Sequence, residues 1–425
     1  MLTESIMRTW KIAGLLFALA VTAISQDLPP QVVFLARVKD HARASLDHLP
    51  GYTCLETIQR FQRDRTASLK PLDTVQLEVF YSGGHEWYGA PGGRAMAERD
   101  PARLVASGMI GNGNFGIALN NILAAARFTY AGKEQRNGRE AEKYAFHFTA
   151  DPRAFRISVP GGEASVGEEG FLWADPRSLD LVRLEYNAAG IPAILPIVSQ
   201  SSAIDYGHVR IGDRDILLPE RAEEDLVYSR YVESFSHIEY SQCRAFETET
   251  SISFGDAPAP QPDAPAAAPR ALPAPLPALL KVTVELTTPI SSGDTVGALI
   301  EGRIASDVSR KGKLVLPAGA VVHGRIRRLE HFDENTWIIG LEFTEVETPS
   351  GPQTFYADLL EMGTSKVLKM AHGEITRAGV VQIKLHDVPG VAAFFATGHT
   401  FSVPAGFRTV WRTRGPIHGF TPLPQ

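Results

Sequence analysis

Gly111, Gly113 and Gly116 of IGNGNFG have the spacing G-x-G-x-x-G, which lets a backbone close on a pyrophosphate at a helix N-terminus. The ALNNILAAA that follows predicts a helix and RFTYAG a strand, and Glu134 falls about 20 residues on, where a ribose-binding acid sits in dinucleotide folds. Such a site also needs a buried parallel strand running straight into the glycine turn. Here the upstream stretch is RDPARLVASGM, with Pro101, Gly108 and no run of branched residues, so it reads as a loop or short helix. Asn137-Gly138 predicts a tight hairpin, and therefore antiparallel pairing, between FTYAGKEQ and REAEKYAFHF. The glycines are read as an irregular turn before a helix, with Asn114 as its N-cap, and no cofactor is expected.

Other arrangements fail on spacing. HEWYG, His85–Gly89, opens like a zinc-protease helix but lacks a histidine four residues on, and its alternation predicts a strand. His323, His331, His372, His386 and His399 have no paired ligand spacing, so no metal is expected. Ser165 has Glu163 where a nucleophile elbow needs glycine. Glu168-Glu169 and Glu223-Glu224-Asp225 could supply acid and base carboxylates, but adjacent carboxylates on a turn are expected to face water. Arg325, Arg327 and Arg328 form the densest basic spot, with Arg408, Arg412 and Arg414 in a similar strand pair. Six arginines on neighbouring hairpins would make a face for anionic ligands; the other reading is a solvated strand face. No residue is assigned a catalytic role.

The N-terminus reads as an export signal. Arg8 and Lys11 flank the uncharged run Ile12–Ile24, and Ala23-Ile24-Ser25 places small residues where a signal peptidase cuts, so cleavage after Ser25 is expected. The run is short for a membrane span, which takes about 20 apolar residues, so no transmembrane segment is expected in the mature chain. Export implies a periplasmic or secreted protein. The only cysteines, Cys54 and Cys243, then favour a disulfide, the alternative being two buried thiols. A net charge of -6 and 15 Lys/Arg against 14 Asp/Glu from Lys281 onward argue against nucleic acid as a partner.

These residues must be positioned by two domains. Eight prolines between Pro258 and Pro277 define a Pro/Ala-rich linker, residues 255–280, because proline neither donates to a ladder nor leaves φ free. It separates residues 26–254 from 281–425 and is expected to act as a stiff tether. The first part opens with a helix over Pro30–Leu49, whose Leu35, Val38, Ala42, Leu46 and Leu49 share one face. The period then changes to two: TVQLEVFY, EKYAFHF, FRISV, GFLWAD, LDLVRLEY, HVRIGDRDILLP and SISF read as strands, with a turn at Asp175-Pro176-Arg177-Ser178. The second part is a run of strands, with an echo between Leu314–Ile326 and Phe401–Thr413, each a strand, a Pro-Ala-Gly turn and a strand. The expected fold is mainly β (α+β): an antiparallel half-barrel-like sheet with one leading and one internal helix, then a small all-β barrel or sandwich.

FLWADPRSLDLVRLEY, Phe171–Tyr186, resembles a hairpin of periplasmic lipoprotein-carrier (LolA-type) half-barrels through Trp173, Asp175, Pro176 and Arg183. GYTCLETIQRF with CRAF resembles exported proteins of acidobacterial type, and GKLVLPAGAVVHGRI resembles a segment of the β-barrel component of conjugation and type IV secretion channels. The expected function is a non-enzymatic cell-envelope protein. It would bind a lipid or lipid-anchored partner on an apolar concave face carrying Phe171, Trp173, Leu184, Tyr186, Tyr144 and Phe146. The same residues could instead form a sealed core. The alternatives are a ligand-free scaffold of an envelope or secretion assembly, and a hydrolase of envelope polymers.

Overall fold

Helix α1, Pro30–Asp47, starts with proline at its first position, where the missing N–H costs nothing, and turns Val38 and Ala42 inward. Period-two patterning then sets in. The computed structural model describes residues 28–63, 68–82, 85–92, 101–105, 110, 115–136, 138–150, 155–159, 162–229, 232–245, 274–371, 374–377, 381–384 and 388–416. The expected export signal, the Asn114 cap, the SISF strand and residues 246–273 of the linker region lie outside them.

Strands β1 (Tyr52–Arg63), β2 (Lys70–Ser82) and β3 (His85–Gly89) are followed by a 3-10 turn at Pro101–Leu104 and by helix α2, Phe115–Ala125. Then come β4 (Arg127–Arg136), β5 (Arg139–Phe148), the small hairpin of β6 (Arg156–Val159) and β7 (Gly162–Ser165), β8 (Gly167–Ala174) and β9 (Leu181–Ala189). The long strands β10 (Ile197–Ile211), β11 (Arg214–Tyr228) and β12 (Glu233–Ala245) complete the set. The large sheet runs β3-β2-β1-β12-β11-β10-β9-β8-β5-β4 and is antiparallel throughout. Its ends, β3 and β4, do not pair, so it stays open, with Val38, Ala42, Leu119, Ile122 and Leu123 of the helices packed on one face. The strand after α2 forms a hairpin with its successor, which removes the crossover that a dinucleotide site needs. At the turn after β8, Asp175 Oδ1 accepts N–H groups from Arg177 at 2.7 Å and Ser178 at 3.2 Å.

The second sheet curls into a nearly closed, barrel-like form. Its order is Ala357–Met362, Arg408–Thr413, Lys281–Leu286, Leu299–Ile304, Val321–Asp333, Thr336–Thr348, Ala392–Thr397, Leu368–Met370, with Gly351–Thr354 also on Thr336–Thr348. Val282, Val284, Ile300, Val322, Leu341, Phe343 and Trp411 fill its interior. The sequence echo is a real local repeat: Gly319 and Gly406 take φ of +83° and +86° in matching turns.

The tether expectation is corrected in two ways. First, Leu276 and Leu280 are buried, and the Leu276 N–H donates to the Thr354 carbonyl, so the end of the expected linker belongs to the second sheet. Second, the sheets touch. β3 covers β2 only from Glu78 to Ser82, leaving the backbone edge at Thr74–Gln76 unpaired by the large sheet. Buried backbone groups need partners, and residues 295–297 supply them. The Gln76 N–H donates to the Val296 carbonyl at 2.8 Å, and the Val296 N–H to Thr74 at 2.9 Å. Gly297 permits the approach: its φ is +99°, and a Cβ there would strike the Gln76 carbonyl oxygen. One continuous apolar cluster joins both sheets.

Candidate functional site

Strand register arranges the helix-facing side of the large sheet in cross-strand rows. Glu86, Tyr81 and Tyr52 lie side by side at the rim. The next row is Tyr88, Val79 and Cys54. Gln242, at φ +51°, sits at a register shift in β12, and the disulfide Cys54–Cys243 spans 4.1 Å between Cα atoms. Leu77, Glu56 and Tyr240 follow. A fully apolar row comes next: Val75, Ile58, Ile238, Ala222, Ile204, Leu184, Leu172 and Tyr144. Beyond it runs a mostly polar row of Asp73, Arg60, Ser236, Glu224, Ser202 and Tyr186, ending in Gly170 and Phe146.

Between the rim rows and α1 lies a cavity of about 60 Å³, partly open to solvent. That is room for about four to six waters at 10–15 Å³ each. Ala42, Ser45, Leu46 and Leu49 line it from the helix side, Val79, Leu181, Leu217 and Leu218 from the sheet. Its polar groups are few. Burial pushes the Glu86 carboxyl up to about 7, although the Tyr88 hydroxyl donates to it at 2.8 Å. The Tyr240 hydroxyl donates to Glu56 at 3.1 Å. The Tyr206 hydroxyl is buried without a hydrogen-bond partner among the described residues, and burial raises its pKa. Among the described residues no lysine, arginine or histidine lines the cavity.

The expected apolar face is partly corrected. Leu184, Tyr186, Tyr144 and Phe146 do share the inner side, where they are buried against the helices; the Tyr144 hydroxyl donates to the Gln31 carbonyl of α1. Phe171 and Trp173 point the other way, because Leu172 is the residue that pairs with Leu184. Period two puts their neighbours on opposite faces. Phe171 is 37% exposed, while Trp173 is sealed under Arg136 and Lys143 and donates to Glu134. None of the six lines the cavity.

Of the carboxylates expected to face water, Glu169 and Glu223 do so, but Glu168 and Glu224 are a second correction. Glu168 and Glu224 are on strands, not turns, and both turn inward beside Tyr186. Burial, then the charge of Glu224, pushes Glu168 up to about 8; burial pushes Glu224 up to about 7 against a hydrogen bond from Ser202 at 3.1 Å. Gln200 donates to the same Ser202 hydroxyl at 2.7 Å. Sequence adjacency hid this pair, since each takes part through a different strand.

The arginine face does not form. Arg325, Arg327 and Arg328 are buried and paired: the first two meet Glu342 at 3.1 and 2.6 Å, the third Glu330 at 2.7 Å. Arg327 also donates to the Arg103 carbonyl at 2.8 Å, another link between the sheets. The strand Arg408–Thr413 is separated from Val321–Asp333 by two other strands, with Arg408 on Glu285 and, just past its end, Arg414 on Asp358. Among the described residues no group of three or more His, Cys, Asp or Glu side chains is arranged to hold a metal, and no helix is long and apolar enough to cross a membrane. His372 and His386 lie outside the described residues.

No protein-family model matches the chain, and no curated protein does. Among solved structures it is similar to a DUF1329 family protein of Desulfovibrio piger, at 12% identity over 53% of this chain and 96% of that one, with a TM-score of 0.29. It is similar to a LolA superfamily protein of Nitrosomonas europaea, at 12% identity over 51% and 96%, with a TM-score of 0.28. The Mycobacterium tuberculosis lipoprotein LppX is similar at 10% identity over 50% and 95%, with a TM-score of 0.20.

Proposed function

We propose that this chain is a non-enzymatic envelope protein, exported to the periplasm or beyond, that holds an aliphatic ligand between α1 and the rim of the large sheet. The observation that carries the reading is the cavity, walled largely by leucine, valine and alanine and partly open to solvent. Closed, it is smaller than the several hundred Å³ typical of ligand sites, so a long chain enters by displacing α1. The helix suits that part. Among the described residues it buries only Val38 and Ala42, while Phe34 and Leu46 pack half-buried against the core and Phe34 stacks on Tyr144. Its polar ties are peripheral: Tyr144 to the Gln31 carbonyl, Arg43 to the Leu123 carbonyl, His41 beside Asp180. A lid held this way opens at small cost while the sheet beneath it stays intact.

Ser45 lines the cavity, and its hydroxyl donates to the His41 carbonyl of its own helix. Ser45→Phe fills the space with little loss of packing. The test is native mass spectrometry of protein recovered from the envelope without reductant. Wild type is expected to carry a lipid-sized adduct lost on denaturation, and Ser45→Phe to carry none. A bare wild-type mass, or an adduct indifferent to Ser45→Phe, overturns the reading; the first leaves a ligand-free scaffold.

A further inference from the structure

The cavity's polar groups say which head group it suits. Its lining joins one carboxylate, Glu86, to a stacked pair of aromatic rings: Tyr81 and Tyr52 are its neighbours in the same cross-strand row, with centroids 5.3 Å apart and planes 18° from parallel. Tyr206 and Tyr240 add two more rings to the lining. Aromatic faces with a nearby carboxylate are the chemistry that attracts an ammonium group, worth most where water is partly excluded. Among the described residues that line the cavity there is no Lys, Arg or His to serve as its own cation. The buried Tyr206 hydroxyl, without a partner among the described residues, can donate to or accept from a polar head.

Resting on the ligand-binding reading above, we infer that the cavity takes a single-chain amphiphile with an ammonium head, the head at Glu86 among the tyrosines and the aliphatic tail under α1. An anionic head is disfavoured, because it would set a second carboxylate beside Glu86 with nothing to neutralise either. The raised pKa of Glu86 fits an acid left without a counter-charge. The other ionisable groups around it are Tyr52, Tyr81, Tyr88 and Tyr240 on the strands, Glu56 behind Tyr240, and Asp47 at the end of α1. All are acids or phenols, so none offsets its charge.

The test is calorimetric titration of the full, oxidised chain with dodecylammonium, dodecanol and dodecanoate below their micellar concentrations. Dodecylammonium is expected to bind about tenfold more tightly than dodecanol, and dodecanoate more weakly than either. The ammonium preference should grow from pH 6 to pH 8 as Glu86 ionises, and vanish in Glu86→Gln, which keeps the dodecanol affinity. Equal affinity for all three probes, a preference for dodecanoate, or a preference unmoved by Glu86→Gln overturns the head-group inference while leaving the cavity reading intact. Failure of every probe to bind, dodecanol included, removes the cavity reading itself.

Discussion

Replacing Glu168 by glutamine should stabilise the protein, and by an amount that depends on pH. The side chain is 1% exposed, and one of its oxygens has no hydrogen-bond partner among the described residues. Burial and Glu224 raise its pKa from 4.5 to about 8, which at about 1.4 kcal/mol per pH unit costs the ionised folded form about 5 kcal/mol. Between pH 4.5 and 8 the folded state therefore binds more protons than the unfolded chain, and stability falls as pH rises through that window. Glutamine has the same shape and no proton to lose. Glu168→Gln should match wild type within about 1 kcal/mol at pH 4.5. It should gain progressively, up to about 5 kcal/mol at pH 8 to 9, less whatever Glu224 recovers once its neighbour is neutral. Urea unfolding followed by circular dichroism at pH 4.5, 6, 7.5 and 9, disulfide intact, measures the difference. A gain constant across pH, or a loss growing with pH, would show that Glu168 is not held protonated by the fold.

Three further outcomes follow from the same contacts. Cys54→Ala with Cys243→Ala opens a loop of sequence separation 189 and should cost about 5 kcal/mol in the chain-entropy model, read as a lower urea midpoint. Glu342→Gln strands the buried guanidinium of Arg327 and weakens the pairing of Arg325, so about 3–5 kcal/mol of stability should be lost in the same assay; a cost below 1 kcal/mol would show the cluster is solvated. Gly297→Val forces a branched residue into φ +99° against the Gln76 carbonyl. Scanning calorimetry should show the single transition of the wild type split into two, one per sheet; a variant that still melts as one unit would refute the role given to this contact.

What the sequence settled by itself was local. The switch from helical spacing in Leu35–Leu49 to alternation from TVQLEVFY onward, and the turns at Asn137-Gly138 and Asp175-Pro176, depend on neighbours within a few residues. The mainly β class, the antiparallel pairing, both helices and the rejection of a dinucleotide site all followed from them. The even cysteine count pointed to the disulfide that joins β1 to β12. Alternation also reports which residues share a face within one strand, but not which face of the next strand it meets. That is why Phe171 and Trp173 were grouped with Leu184 and Tyr186, when register sets them on opposite sides.

What only the tertiary structure decided was everything that needs two distant strands at once. Glu86, Tyr81 and Tyr52 become one row, and Glu168 and Glu224 one buried acid pair, because hydrogen-bond register brings them together. Arg325 and Arg327 are core ion pairs because Glu342 arrives from the neighbouring strand, and Arg328 pairs with Glu330 of its own strand. The proline-rich stretch reads as a spacer, yet the two sheets meet where a short β3 leaves the edge of β2 bare. A buried backbone group requires a partner wherever the chain can supply one. Nothing local to residues 295–297 announces that they supply it.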